Sequence, residues 1–187
     1  MSALKGRDIE KFLARPDLTS GLVLVYGPDT GLVSENAARL VKYFAGDPPD
    51  PESLSQLHMS EIDADPQRLG ILARSPSLFG GQTTIRIRAA TNKLAPTLVE
   101  LLDEGAQALF VVEGADLKPS DALRKHAEAR NDARALPCYA DTGQTIDTLI
   151  RETFAAANIA LEADLAPMLR DMLGNDRQVT RSELQKL

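Results

Sequence analysis

Gly21-Leu-Val-Leu-Val-Tyr-Gly-Pro-Asp-Thr-Gly-Leu-Val-Ser34 is the stretch whose reading decides the fold. Leu22 to Tyr26 is an unbroken apolar run, too short for a helix of its own and rich in β-formers, so it reads as a buried strand. Gly27 and Gly31 permit the backbone angles of a tight strand-to-helix turn. From Leu32 the period changes: Leu32, Val33, Asn36, Ala37, Leu40, Val41 and Phe44 share one helical face. A strand, a glycine-bearing loop and a helix form the skeleton of a phosphate-binding loop, whose helix amides face an anion. Here the working charge is missing. The pattern G-x-x-x-x-G-K-[ST], laid from Gly27 to Ser34, puts Leu32 at the second glycine and Val33 at the lysine that reaches the phosphates. Only Gly27 and Ser34 fit, and Asp29 would repel a phosphate. Gly27, Gly31, Val33 and Ser34 therefore make a candidate degenerate nucleotide loop. The same strand-loop-helix recurs in unrelated α/β proteins, so alone it does not fix a function.

Outward from this stretch, strands and helices alternate. Upstream, Lys5 to Ala14 predicts a short helix ended by Pro16. Downstream, the helix stops before the proline-rich loop Gly46-Asp-Pro-Pro-Asp-Pro51. Ser55 to Glu61 reads as a strand. Asp65-Pro66 starts a helix with Leu69, Leu72 and Ala73 inward. Thr83 to Arg88 alternates Ile85 and Ile87 with Arg86 and Arg88, which suggests a strand with one wet face or one near an edge. A helix over Lys93 to Glu104, a buried strand over Ala108 to Val112, a helix from Ser120 to about Arg130 and a strand over Ala133 to Tyr139 follow. This order predicts a mostly parallel sheet with helices on both faces across residues 1–140. After Ala140-Asp-Thr-Gly143 the strand pattern stops. Thr145 to Ala157 and Leu161 to Leu173 read as helices, with Gly174 as a cap. Thr180-Arg-Ser-Glu183 opens a further helix as a capping box, and residues 141–187 are expected to form a small helical domain. The sequence ends only four residues after this capping box, at Leu187, which suggests a chain cut short.

The bulk numbers narrow the function classes. The chain has 187 residues, 43% of them hydrophobic and 26% charged, as in an ordinary soluble domain with a real core. No apolar run approaches a membrane span, and the charged N-terminus is no signal peptide, so the expected setting is the cytoplasm, with no membrane partner. A single cysteine, Cys138, excludes an internal disulfide framework and a cysteine-based zinc module. The net charge of −6 disfavours a broad nucleic-acid grip, and 4% aromatics without tryptophan disfavours a base-stacking platform.

Few residues are placed for catalysis. The strand Ala108-Leu-Phe-Val-Val-Glu113 ends in an acid, as does the Walker B strand, where one acid holds magnesium and the next polarises water. Glu113 takes the first place, but Gly114 stands at the second. The plainer reading is that Glu113 ends a strand; two losses at matching places favour a degenerate nucleotide site. His58 and His126 have no partners at metal spacing, and no metal or cofactor is expected. His126 reads as solvated and Cys138 as a small core residue. Ser75-Pro-Ser-Leu-Phe-Gly-Gly81 is different in kind. Leu78 and Phe79 do not continue the face of the preceding helix, and two glycines follow. Adjacent bulky apolar residues at a helix end can form a plug for a pocket on a partner, unless they fold inward beneath the sheet.

Taken with Leu24-Val-Tyr-Gly-Pro-Asp-Thr-Gly-Leu-Val33, Ile85-Arg-Ile-Arg88, Val111-Val-Glu-Gly-Ala-Asp-Leu-Lys-Pro-Ser120, Leu136-Pro-Cys-Tyr-Ala-Asp141 and Leu173-Gly-Asn-Asp-Arg177 with Ser182-Glu-Leu-Gln-Lys-Leu187, that segment resembles the delta subunit of the bacterial DNA polymerase III clamp loader. The resemblance implies an AAA+-type α/β domain, a small helical domain and a collar domain that would continue beyond Leu187. It implies no ATP hydrolysis by this chain, which would serve DNA replication as a subunit of the polymerase holoenzyme. The implied partners are the sliding clamp (the beta subunit), the gamma/tau and delta prime loader subunits and, through the complex, primer-template DNA. The hydrophobic tip that enters the clamp maps onto Leu78 and Phe79, flanked by Ser75 and Ser77. Two other functions compete. One is a nucleotide-dependent phosphotransferase or NTPase with an atypical loop; the other is a DNA-binding module using Arg86, Arg88 and Lys93.

Overall fold

The computed structural model describes residues 3–4, 7–75 and 83–139, with isolated positions 154–155, 159, 165 and 168–169. Helix α1 (Arg7–Ala14) leads to β1 (Gly21–Tyr26), α2 (Thr30–Ala45), β2 (Leu54–His58), α3 (Met59–Ala64), α4 (Pro66–Arg74) and β3 (Thr84–Ala90). A single 3-10 turn (Asn92–Leu94) precedes α5 (Ala95–Asp103), β4 (Leu109–Gly114), α6 (Ala122–Ala129) and β5 (Ala133–Pro137). The strands form one five-stranded sheet in the order β2-β3-β4-β1-β5, with every pairing parallel.

Alternation along the strands explains why both faces are covered. Leu22, Leu24, Ile85, Ile87, Phe110 and Val112 point to one side, against Leu69 of α4, Leu98 and Leu101 of α5 and Leu123 of α6. Val23, Val25, Leu109 and Val111 point to the other, against Phe12 and Leu13 of α1 and Val33, Ala37, Leu40 and Val41 of α2. β1 and β4 are buried along their whole length, which is why they read as continuous apolar runs. Each fully buried Leu, Ile, Val or Phe contributes about 1.5–3 kcal/mol to this packing.

Three local expectations are corrected. The strand expected to reach Glu61 stops at His58. His58 caps α3 instead: its Nδ1 accepts the Ser60 N–H at 3.3 Å, and Glu61 Oε2 accepts the His58 N–H at 2.7 Å. Met59 and Ile62, three apart, then pack inward as helical neighbours do. The second correction concerns β3, which is interior rather than at an edge. Arg86 on its polar face is buried, and the strand reaches solvent only at Arg88 and Ala89, where a bulge puts Ala89 at φ +53°. Third, α2 begins at Thr30, ahead of Leu32, where the helical period starts in the sequence. At the α6–β5 turn Arg130 bridges Asp132 and Asp103, and its hydrogen bonds hold the Asp132 carboxyl below the usual aspartate range.

The chain divides into two compact units, 1–138 and 139–187. In the second, Phe154, Ala155, Leu165, Met168 and Leu169 are helical, and the Ile159 N–H donates to the Phe154 carbonyl at 2.9 Å. The rest of the helices expected over 145–157, over 161–173 and from Thr180 lies outside the described residues. Among the described residues no helix is long and apolar enough to cross a membrane.

Candidate functional site

In an open parallel sheet, ligands bind beyond the carboxyl ends of the strands, where the strand order reverses. That point falls between β1 and β4, since β1 leads on to β2 at one edge and β4 to β5 at the other. Backbone hydrogen bonds flank this point on both sides. The Gly27 N–H donates to the Ala115 carbonyl at 3.1 Å, and the Cys138 N–H donates to the Tyr26 carbonyl at 2.7 Å. The chain after β1 is thus tied to the chain after β4 on one side and after β5 on the other. Gly27 is required by this close approach: a Cβ there would lie 1.8 Å from the Cys138 carbonyl oxygen.

The loop is also short. Only Gly27, Pro28 and Asp29 separate β1 from α2. Asp29 Oδ1 accepts the Leu32 N–H at 2.9 Å, so a side chain of the protein itself occupies an amide that a bound phosphate would need. Of the four candidate loop residues, only Gly27 lies in the loop. Gly31, Val33 and Ser34 belong to α2, where Val33 is buried in the core beneath it and Gly31 and Ser34 are half-buried. Gly31 takes helical backbone, so no turn requires its freedom.

Glu113 lies on β4 opposite Val25 of β1. Its Oε1 sits 2.6 Å from Arg86 Nε of β3, and both side chains are about nine-tenths buried. A carboxylate in such a place needs a cation, and here a neighbouring strand supplies one. This favours the plainer reading of Glu113 as a structural acid. Gly114 is a packing position, where a Cβ would lie 3.1 Å from the Leu117 side chain. Arg86 is engaged in this pair, and Arg88 Nη2 donates to Gln56 Oε1 at 2.7 Å, so among Arg86, Arg88 and Lys93 only Lys93 has no recorded partner. The described residues contain no cluster of His, Cys, Asp and Glu with metal-holding geometry. His126 is exposed and Cys138 is buried, with its sulfur 3.5 Å from Asn36 Nδ2.

A second candidate region lies at the end of α4. Ser75 is exposed and closes the helix: its N–H donates to the Ile71 carbonyl at 3.0 Å and to that of Leu72 at 3.3 Å, and its Oγ donates to Ile71 at 2.7 Å. Pro76, Ser77, Leu78 and Phe79 come next in the sequence and lie outside the described residues. Ile71, one turn before Ser75, is 62% exposed. It borders a groove of about 310 Å³ between α4 and α5, lined also by Gly70, Arg74, Thr97 and Leu101. The sequence reading missed two ion pairs here and in the sheet, Arg74–Glu104 and Arg86–Glu113. An arginine within an apolar strand was the available signal for the second, since such a charge must find a partner.

The five parallel strands with helices on both faces define an AAA+-like α/β fold. No protein-family model and no curated protein matches the sequence. Among solved structures, the chain is similar to the DNA clamp loader delta protein of Bacillus subtilis, with a TM-score of 0.68 at 16% identity over 96% of this chain and 56% of that one. It is also similar to a DNA polymerase III gamma-subunit-related protein of Thermotoga maritima, with a TM-score of 0.56 at 16% identity over 95% and 57%. Domain III of the replication initiation protein DnaA of Thermotoga maritima gives 0.50 at 11% identity over 95% and 79%. The chain thus spans just over half the length of the first two. Identities this low describe a shared fold, of the kind found in clamp loaders and replication initiators.

Proposed function

We propose that the chain is a non-hydrolysing, delta-type subunit of a bacterial clamp loader, which binds the sliding clamp and opens it during DNA replication. The observation that carries this is a nucleotide-motor fold whose loop is occupied from within: Asp29 caps α2, and Gly27 is tied to Ala115. In this reading residues 1–140 are the AAA+-like domain and 141–187 a helical lid. Leu78 and Phe79 enter a pocket on the clamp, with Ser75 and Ser77 at their flank. A plug that fits the open ring better than the closed one shifts the ring toward opening by that difference in affinity. Burying a Leu and a Phe supplies about 3–6 kcal/mol gross. ATP-driven steps belong to the gamma/tau subunits, with delta prime and primer-template DNA as further partners in a cytoplasmic complex.

The competing reading, a phosphotransferase or NTPase with an atypical loop, would need an anion to displace the Asp29 carboxylate. The test measures affinity for the cognate sliding clamp in wild type and in Leu78→Ala with Phe79→Ala. Loss of binding with an unchanged thermal midpoint is the expected outcome; undiminished affinity sinks the proposal. Calorimetric titration with Mg-ATP separates the two readings, since tight binding belongs to the enzyme.

A further inference from the structure

Among the arginines with a recorded side-chain partner, Arg88 is held differently. Arg68, Arg74, Arg86, Arg124, Arg130 and Arg134 each hydrogen-bond a carboxylate. Arg88 Nη2 donates instead to the neutral amide oxygen Oε1 of Gln56, at 2.7 Å, and among the described residues no carboxylate pairs with it. An amide fixes the direction of a guanidinium and leaves its charge uncompensated. Glu113 across the sheet is already taken by Arg86 at 2.6 Å, and Glu61 of α3 by Arg68 at 3.0 Å and by the His58 N–H. The backbone sets Arg88 apart as well. The register of β3 on β4 slips, so that Arg88 and Ala89 together lie opposite Glu113, and Ala89 takes φ +53°, a conformation that costs a residue with a Cβ. Bulges of this kind re-aim a side chain. Arg88 is exposed, whereas Arg86, two residues earlier on the same face, is buried. His58, its register partner on β2, is exposed on that face too. With Nδ1 accepting the Ser60 N–H, the ring proton of His58 sits on Nε2, a second donor on the same face.

We propose that the exposed face of β2 and β3 around Arg88 is a docking surface for an acidic segment of a partner protein, whose carboxylate takes the guanidinium that Gln56 holds in place. The occupant follows from charge. A guanidinium fork matches the two oxygens of a carboxylate or a phosphate. A chain of net charge −6 with one uncompensated arginine on this face offers little to a nucleic acid, which is gripped through several phosphates at once. A single ion pair is enough at a protein interface, where arginine is enriched. The choice of partners rests on the clamp-loader reading above: the sliding clamp, gamma/tau and delta prime.

The experiment measures affinity of the full chain for each of these three proteins and for duplex DNA, together with thermal midpoints. The variants are Arg88→Gln, Arg88→Lys and Gln56→Glu. Arg88→Gln weakens binding to one of the proteins by about ten- to a hundredfold at an unchanged midpoint, as loss of a charge-assisted hydrogen bond does. Arg88→Lys recovers part of the loss, since it restores the charge without the fork. Gln56→Glu supplies the carboxylate from within, so it weakens the same interaction while the midpoint stays the same or rises. The advantage of wild type over Arg88→Gln narrows as salt is added. Wild-type affinity of Arg88→Gln for all three proteins overturns the proposal. A loss confined to duplex DNA assigns the guanidinium to a phosphate and overturns it too, as does a loss matched by a fall in midpoint, which makes Arg88 structural. A wild-type chain that binds none of the three removes the clamp-loader reading, and the docking surface with it.

Discussion

The end of β1 and the end of α4 are both places where the chain leaves a regular element, and they are finished in opposite ways. Beyond β1 the Gly27 N–H, the Tyr26 carbonyl and the Asp29 carboxylate are all paired within the protein. At the end of α4, Ile71, Ser75 and the Arg74–Glu104 pair stand at the surface. A nucleotide enzyme needs open donors at the first place. A docking subunit needs an outward helix end at the second. The contrast can be broken most severely at Gly27. Gly27→Ala drives a methyl into the Cys138 carbonyl, 1.8 Å away, and backbone on both sides prevents relief. Its expected cost is about 4 kcal/mol or more, read as a fall in the urea midpoint. A variant of wild-type stability would mean that the β1 end is looser than described, and the contrast with α4 would fail.

The same contrast extends into the sheet, where Glu113 was read as the first acid of a degenerate Walker B pattern. With Arg86 as its partner it serves the packing between β3 and β4. Glu113→Ala leaves a buried guanidinium without its anion, with an expected loss of about 3–5 kcal/mol. Replacing both residues, Arg86→Met with Glu113→Leu, should recover much of that loss, because an apolar pair of similar volume needs no counter-charge. Chemical denaturation of the single and double variants checks this. A single variant as stable as wild type would show that Arg86 has another sufficient partner.

Legibility followed the range of the interactions. β1, β4 and the buried face of α2 were readable because both the apolar runs and the change of period are local. α3 was hidden because histidine is an uncommon cap residue, and Leu57-His-Met59 continues the alternation of β2 across the boundary. Which residue partners Arg86 was not readable, since Glu113 lies 27 residues away and only strand register brings the two together. The missing lysine at Val33 was plain from sequence. The change of period at Leu32 also placed Val33 and Ser34 in the helix; the Asp29 cap that starts it was not read from the sequence.

Asp29 gives the smallest expected effect and the sharpest distinction. The sequence reading saw it as a charge that would repel phosphate; the structure adds that it is a helix cap, accepting the Leu32 N–H. Removing it with Asp29→Ala should cost about 1 kcal/mol, the usual value of such a cap. It also removes a negative charge from the helix N-terminus, so it is the single change most favourable to an anion. If the β1 end is closed by the Gly27–Ala115 and Tyr26–Cys138 hydrogen bonds, Asp29→Ala should still give no heat with Mg-ATP, since the three-residue loop Gly27-Pro28-Asp29 leaves no cradle to open. Binding in this variant and not in wild type would locate the block in one carboxylate. The β1 end would then be a nucleotide site kept empty by charge, and its difference from the end of α4 one of electrostatics and not of architecture.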